Sequence, residues 1–377
     1  MAGRATLLIM AVFFLQPVTF GGWLALIPVI KEELGLSKGE LAFALFGMPL
    51  ALIPSLQVAG RIVGRWGPRR MLVLGFPLFG LAMALPLVAV DVVTLFLALA
   101  LAGAMVSVPE VAMNVYAARL EKRASLTIMS RCHGFWALGL MFGSAVVAVL
   151  GGLAWVLVWL IIVFIPLGAV VGWALPRIAD NSVDLDMPKR RLGDVPKALW
   201  LVGAMMLLVT LTEGAMADWS AVYLAERIGG ETARAGIAVT IFSGFMAGGR
   251  FLGDALKRRF GPVALSQTLA VVALAGLMLL VLPLPNWALY PGFALVGFGV
   301  AVAYPLGVSA VAAMDDRFES SNIAVLAMLA LTGFLLGPPL MGGLAELLSL
   351  RAGFAALIPG LMLAVVVARW LRPENSS

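Results

Sequence analysis

Cysteine and histidine occur once each in the 377 residues, as the neighbours Cys132 and His133. A lone thiol excludes an intramolecular disulfide framework, and no His/Cys cluster with metal-ligand spacing can be assembled. On a helix the two neighbours point about 100° apart, which is poor geometry for a nucleophile and its base. A nucleotide-binding P-loop is also missing, so neither an enzyme nor an ATP-driven pump is expected, and no cofactor or metal is called for. Charge is the other scarcity. Charged residues make up 12% of the chain against 62% apolar, and the mean hydropathy is +1.04. A soluble domain of this length has nowhere to hide so much apolar surface. The excess of +6 sits in short clusters between apolar runs and not along one face, which argues for membrane topology and against nucleic acid.

What remains is a succession of apolar stretches of the length that crosses a hydrocarbon core. Twelve spans are expected, at about 5–30, 41–62, 71–90, 92–117, 130–150, 154–175, 198–224, 235–256, 263–283, 287–313, 323–345 and 352–371. The opening run reads as the first span, being too long for a cleavable leader. An even count puts both termini on one side. With that side cytoplasmic, 21 of the 26 basic residues fall inside, in agreement with the positive-inside rule. The fold class is therefore an all-α membrane protein with twelve transmembrane helices in two six-helix bundles. Residues 1–176 and 198–377 form the halves, and the polar stretch 177–197 forms a cytoplasmic linker.

An internal repeat supports the division. Gly60-Arg61-Ile62-Val63-Gly64 followed by Arg65-Trp66-Gly67-Pro68 ends the second span. Gly249-Arg250-Phe251-Leu252-Gly253 followed by Arg259-Phe260-Gly261-Pro262 ends the eighth, with five extra residues, Asp254 to Arg258. Two like-oriented six-helix repeats with a path between them are what a rocking carrier requires.

These residues resemble the loop signature of the major facilitator superfamily, in which a glycine, an aspartate and basic residues follow the second helix. Gly60, Arg65, Gly67, Arg69 and Arg70 match, while Gly64 stands where the aspartate belongs, and the second copy supplies Asp254. The resemblance implies a cytoplasmic gate held by Arg61, Arg65, Arg250 and Asp254. The segments Pro109-Glu110-Val111-Ala112-Met113-Asn114, Ser130-Arg131-Cys132-His133-Gly134-Phe135-Trp136, Glu213-Gly214-Ala215-Met216-Ala217-Asp218-Trp219 and Gly337-Pro338-Pro339 are similar to the bacterial YbjJ-like branch, itself akin to fucose permeases. The family's usual form is a monomer in the inner membrane.

An acid inside an apolar run needs a reason. Glu110 stands alone in its span, where charge is costly, and is a candidate proton site. The fucose-permease resemblance implies the same role, while a purely structural bond to Asn114, one turn on, is the competing reading. Glu213 and Asp218 are five residues apart and so lie on different helix faces. Glu213 is the second candidate for proton coupling. Gln16, Asn114, Asp218 and Trp219 are candidates for substrate contact, although Trp219 and Trp23 also suit interface anchors. Glycine pairs spaced by three residues, Gly139/Gly143, Gly244/Gly248, Gly249/Gly253 and Gly333/Gly337, allow close approach between helices; the resemblance implies that they fall where the halves meet, and Pro338-Pro339 is expected to bend the eleventh span. His133 is expected near cytoplasmic water in a packing role.

The function expected is secondary active transport of a small organic solute across the inner membrane by alternating access, coupled to protons. Proton-driven efflux and a transporter-shaped sensor without flux are the alternatives. The expected partners are the solute, protons and the lipid bilayer. The orientation is testable in intact cells lacking Cys132: Gly230→Cys is labelled by an impermeant maleimide and Ser182→Cys is not, whereas the reverse pattern inverts the topology.

Overall fold

A computed structural model describes residues 2–177, 194–229, 232–314 and 319–371; most of the expected linker, with Ser182, and Gly230 lie outside the described residues. The described residues form helices and connecting turns, with no strand. They are α1 (Ala2–Glu33), α2 (Lys38–Trp66), α3 (Pro68–Ala84), α4 (Val92–Ala124), α5 (Met129–Val149), α6 (Ala154–Ala174), α7 (Lys197–Arg227), the short α8 (Thr232–Ala235), α9 (Ile237–Phe260), α10 (Pro262–Val281), α11 (Leu289–Val300), α12 (Ala303–Ala312), α13 (Glu319–Leu347), α14 (Leu350–Ala355) and α15 (Ile358–Val367). In a lipid core each backbone amide must be satisfied within its own segment, so helices are the available solution. Among the described residues, eleven segments are long and apolar enough to cross a membrane. The remaining crossing is α9, which has 24 residues but carries Arg250, Asp254, Lys257, Arg258 and Arg259.

The helix ends follow local chemistry. Ser37 and Asp91 cap α2 and α4 through capping boxes with Glu40 and Thr94. The amide and hydroxyl of Thr94 hold the Asp91 carboxyl below its usual range. Gly67 and Gly261 make the same turn in the two repeat copies, with φ 83° and 75°, values that favour glycine, and Pro68 and Pro262 start the next helices. The tenth crossing is α11 and α12 broken at residues 301–302, and the twelfth is α14 and α15 broken at 356–357, where single helices were expected. The eleventh runs unbroken through Pro338 and Pro339.

Alternation of the crossings defines two faces: a terminal face, where α1 begins and α15 ends, and the far face opposite. Within the first half α5 packs parallel to α1, and α2 parallel to α4; within the second, α13 packs parallel to α7. The halves meet along two antiparallel seams, α5 with α9 and α2 with α13. The expected glycine pairs distribute differently from the sequence reading. Gly139 and Gly143 face the α1 backbone at Phe14 and Val18, Gly333 faces α7, and Gly249 and Gly253 face Ala301 and Val302, all within one half. Gly244 does face across, toward Met141, as do Gly134 toward Phe251 and Gly342 toward Ala42. The outside is apolar: α6 presents Trp155, Trp159, Ile162, Val163 and Val170 exposed, as lipid contact requires.

A methyl group at Gly143 would overlap the Val18 carbonyl, whereas one at Gly64 would meet nothing within 4 Å. Gly143→Ala is expected to cost about 1–3 kcal/mol of stability and Gly64→Ala much less, measured as melting temperature in detergent.

Candidate functional site

Ionisable side chains far from the helix ends are few: Glu110 on α4, Glu213 and Asp218 on α7 and Arg250 on α9. Arg250 and Glu213 pair at 3.0 Å, with side chains only 10% and 13% exposed. The pairing departs from the sequence reading, which took both Arg61 and Arg250 as loop arginines of a gate. Arg61 lies six residues before Gly67, about 9 Å along a helix, but the five extra residues put Arg250 eleven before Gly261, about 16 Å. One copy therefore leaves its arginine exposed and the other carries it into the bundle. Arg61, Arg65 and Asp254 are exposed and make no ion pair among the described residues, so Asp254 is not Arg250's partner in this conformation.

Three further contacts hold the guanidinium, and a fourth holds the backbone of the same residue. Nη1 donates to the His133 carbonyl on α5 at 3.3 Å, and Nε donates to the Ala301 carbonyl at 3.4 Å. The latter acceptor is available because Pro305, four residues on, has no N–H to offer it. The Trp136 ring lies 5.9 Å from the guanidinium carbon, and Ser130 donates to the Arg250 carbonyl at 3.1 Å. Arg250 thus joins both halves. Gln16 is buried and accepts a hydrogen bond from the Trp136 indole at 3.0 Å, tying α1 into the same cluster. His133 is half-buried and packs edge-on against Phe13.

Glu110 is half-buried and has one hydrogen-bond partner among the described residues, Asn114, whose amide donates to its carboxylate at 3.1 Å and to its backbone carbonyl at 2.9 Å. The carboxylate also interacts electrostatically with Tyr304 on α12, across the halves. Asp218 is half-buried and has neither hydrogen-bond nor ion-pair partner among the described residues. Trp23 and Trp219, read as interface anchors, are fully buried instead, because the rule for tryptophan concerns depth in the membrane and not which way a helix face points.

The far face carries contacts the sequence reading missed. Lys38 on α2 pairs with Glu226 on α7 at 3.0 Å, and the Gly39 amide, in the first turn of α2, donates to Glu346 on α13 at 3.0 Å. Thr232 donates to Glu32 at 3.2 Å. A carboxylate from one half thereby caps a helix of the other. The only sequence signal was acids at the ends of the seventh and eleventh spans.

A family model of the Major Facilitator Superfamily matches residues 8–318. "Membrane protein MosC" of Rhizobium meliloti is 29% identical over 92% of this chain and 85% of its own length. The fold is similar to that of the nucleoside transporter NupG, solved as a point mutant, with a TM-score of 0.76 at 13% identity over 97% of this chain and 98% of that one. It is also similar to FucP in the outward conformation, with a TM-score of 0.65 at 16% identity over 97% and 98% of the two chains.

Removing one partner of a nearly buried pair strands the other charge. Glu213→Ala or Arg250→Ala alone is expected to cost about 3–5 kcal/mol, and Glu213→Leu with Arg250→Met to recover most of it. Melting temperatures of the four proteins check this.

Proposed function

Because the chain belongs to the Major Facilitator Superfamily, we propose that it is a proton-coupled secondary transporter, moving a small organic solute across the bacterial inner membrane by alternating access. The single observation that carries the coupling is Glu110, a carboxylate in mid-span whose one hydrogen-bond partner among the described residues is a neutral amide. A charge there is costly to keep. Taking up a proton removes that cost without breaking an ion pair, so Glu110 can load and unload a proton as access changes. Glu213 is already committed to Arg250 and can titrate only at the expense of the seam. It is therefore the secondary candidate.

In the orientation expected from the basic residues, both termini are cytoplasmic and the far face is periplasmic. The Lys38–Glu226 pair and the Glu346 cap then seal the outer side, while Arg250 joins the α5–α9 seam nearer the middle. Opening outward must break the two outer contacts, and the protein works as a monomer because both seams are internal to one chain. Gln16, Asn114, Asp218 and Trp219 stay substrate candidates; Gln16 and Trp219 need a conformational change to be reached, since both are buried.

Glutamine at position 110 keeps the shape and hydrogen bonding of the protonated acid but cannot ionise. In proteoliposomes Glu110→Gln is expected to retain solute exchange and lose proton-driven accumulation, together with most of the pH dependence of transport. Uphill transport with wild-type pH dependence would remove Glu110 from the coupling.

A further inference from the structure

We propose that Thr19, Trp219, Ser220 and Ser243 form a substrate-recognition level for an uncharged, polyhydroxylated solute, a proposal that rests on the transporter reading above.

Hydroxyls inside apolar helices ordinarily donate to a carbonyl three or four residues back. In this protein Ser107, Thr210, Thr212, Thr240, Ser309 and Thr332 all do so. Thr19, Ser220 and Ser243 do not. Each is fully buried, and neither their hydroxyls nor the Trp219 indole nitrogen has a hydrogen-bond partner among the described residues. Four such groups forgo the bond that the backbone offers or that a neighbour could supply, on three different helices.

The register brings them to one level. Ser243 is seven residues before Arg250, and Ser220 seven after Glu213; seven residues are about 10.5 Å and fall about 20° short of two full turns. The faces of α9 and α7 that meet at the ion pair therefore present Ser243 and Ser220 two turns farther toward the far face. The α5–α9 seam gives the same height for Ser243, because Gly244 faces Met141 and Thr240 bonds Ser144 at 3.0 Å. On the other side of α5, Gly143 faces Val18 and Gly22 of α1, so Thr19 belongs to this height too. Thr19 is also one turn, less about 60°, from Gln16, which points into the ion-pair cluster through Trp136.

The chemistry of the level fixes the class of ligand. Each hydroxyl donates and accepts, and the indole donates, a set that suits several hydroxyl or carbonyl groups on one solute. The face that Ser220 shares with Ser243 carries no countercharge: Asp218 is about 200° from Ser220 on the same helix, and Arg250 is taken by Glu213. The level lies between the ion pair and the far-face contacts of Lys38 and Glu346. Breaking those contacts would uncover it toward the far face, and a solute that satisfies its hydroxyls there replaces bonds that the closed form leaves unmade.

The test uses full-length protein in nanodiscs, with calorimetric titration of myo-inositol, fucose and uridine, and of choline and benzoate as charged comparators. At least one hydroxylated probe is expected to bind in preference to both charged ones. Thr19→Val, Ser220→Ala and Ser243→Ala are each expected to weaken that binding about tenfold, and Thr19→Ser to restore it. Size-exclusion profiles and unliganded melting temperatures identify any variant that fails to fold, and the Thr19 pair, differing in whether the hydroxyl is present, decides in that case. No binding of the hydroxylated probes, preference for choline or benzoate, or wild-type binding by all three variants would overturn the proposal. Counterflow of the bound probe separates the two readings. Binding that responds to the substitutions without any flux overturns the transporter reading alone, whereas flux indifferent to them overturns the recognition level alone.

Discussion

A guanidinium inside a bilayer has no water to fall back on, and the arrangement around Arg250 follows from that constraint. Its charge is met by Glu213 at 3.0 Å, and its remaining contacts are backbone carbonyls of His133 and Ala301 and the face of Trp136. Each of these demands something of its own segment. The Ala301 carbonyl is free because Pro305 interrupts the tenth crossing; the His133 carbonyl is within reach because Gly134 lets Phe251 come close to α5. Since these contacts belong to α5, α7, α9 and the α11–α12 break, one arginine holds the second half together and joins it to the first.

The ion pair also sorts the acids by the work available to them. Glu213 is bound to a structural charge, and displacing it exposes a buried cation. Glu110 has the Asn114 amide as its one hydrogen-bond partner among the described residues, and a neutral amide can serve either protonation state of a carboxyl. At the far face, acids act again, but on targets that belong to the other half: a lysine and the first turn of a helix. The ion pair within the second half and the contacts between the halves thus lie at different depths.

Depth along each helix was readable in the sequence, and direction around it was not. Spans, turns and the repeat come from runs of apolar residues and from Gly-Pro punctuation, which is why Gly67-Pro68 and Gly261-Pro262 fall where expected. Glu110 and its neighbour Asn114 were visible for the same reason, being close in sequence. The Arg250–Glu213 contact joins residues 37 positions apart, and the repeat itself misled by equating Arg250 with the exposed Arg61. Trp23 and Trp219 went astray because composition cannot say whether an indole turns toward lipid or toward the packed interior. Six of the eight paired glycines are close approaches, while Gly248 faces open space and Gly337 makes only ordinary contact; the partners depend on rotation and proved to be mostly within one half.

The five residues that separate the repeat copies have a consequence for how duplicated halves diverge. Added inside a helix, five residues advance its phase by about 500°, which is one full circuit and about 140° more, as well as deepening whatever precedes them. Everything on the helix that precedes the insertion is therefore re-aimed relative to the turn, without any change of residue type. An arginine at the same place in the repeat thus becomes an interior group by displacement along the helix, so the two halves differ in length as well as in chemistry.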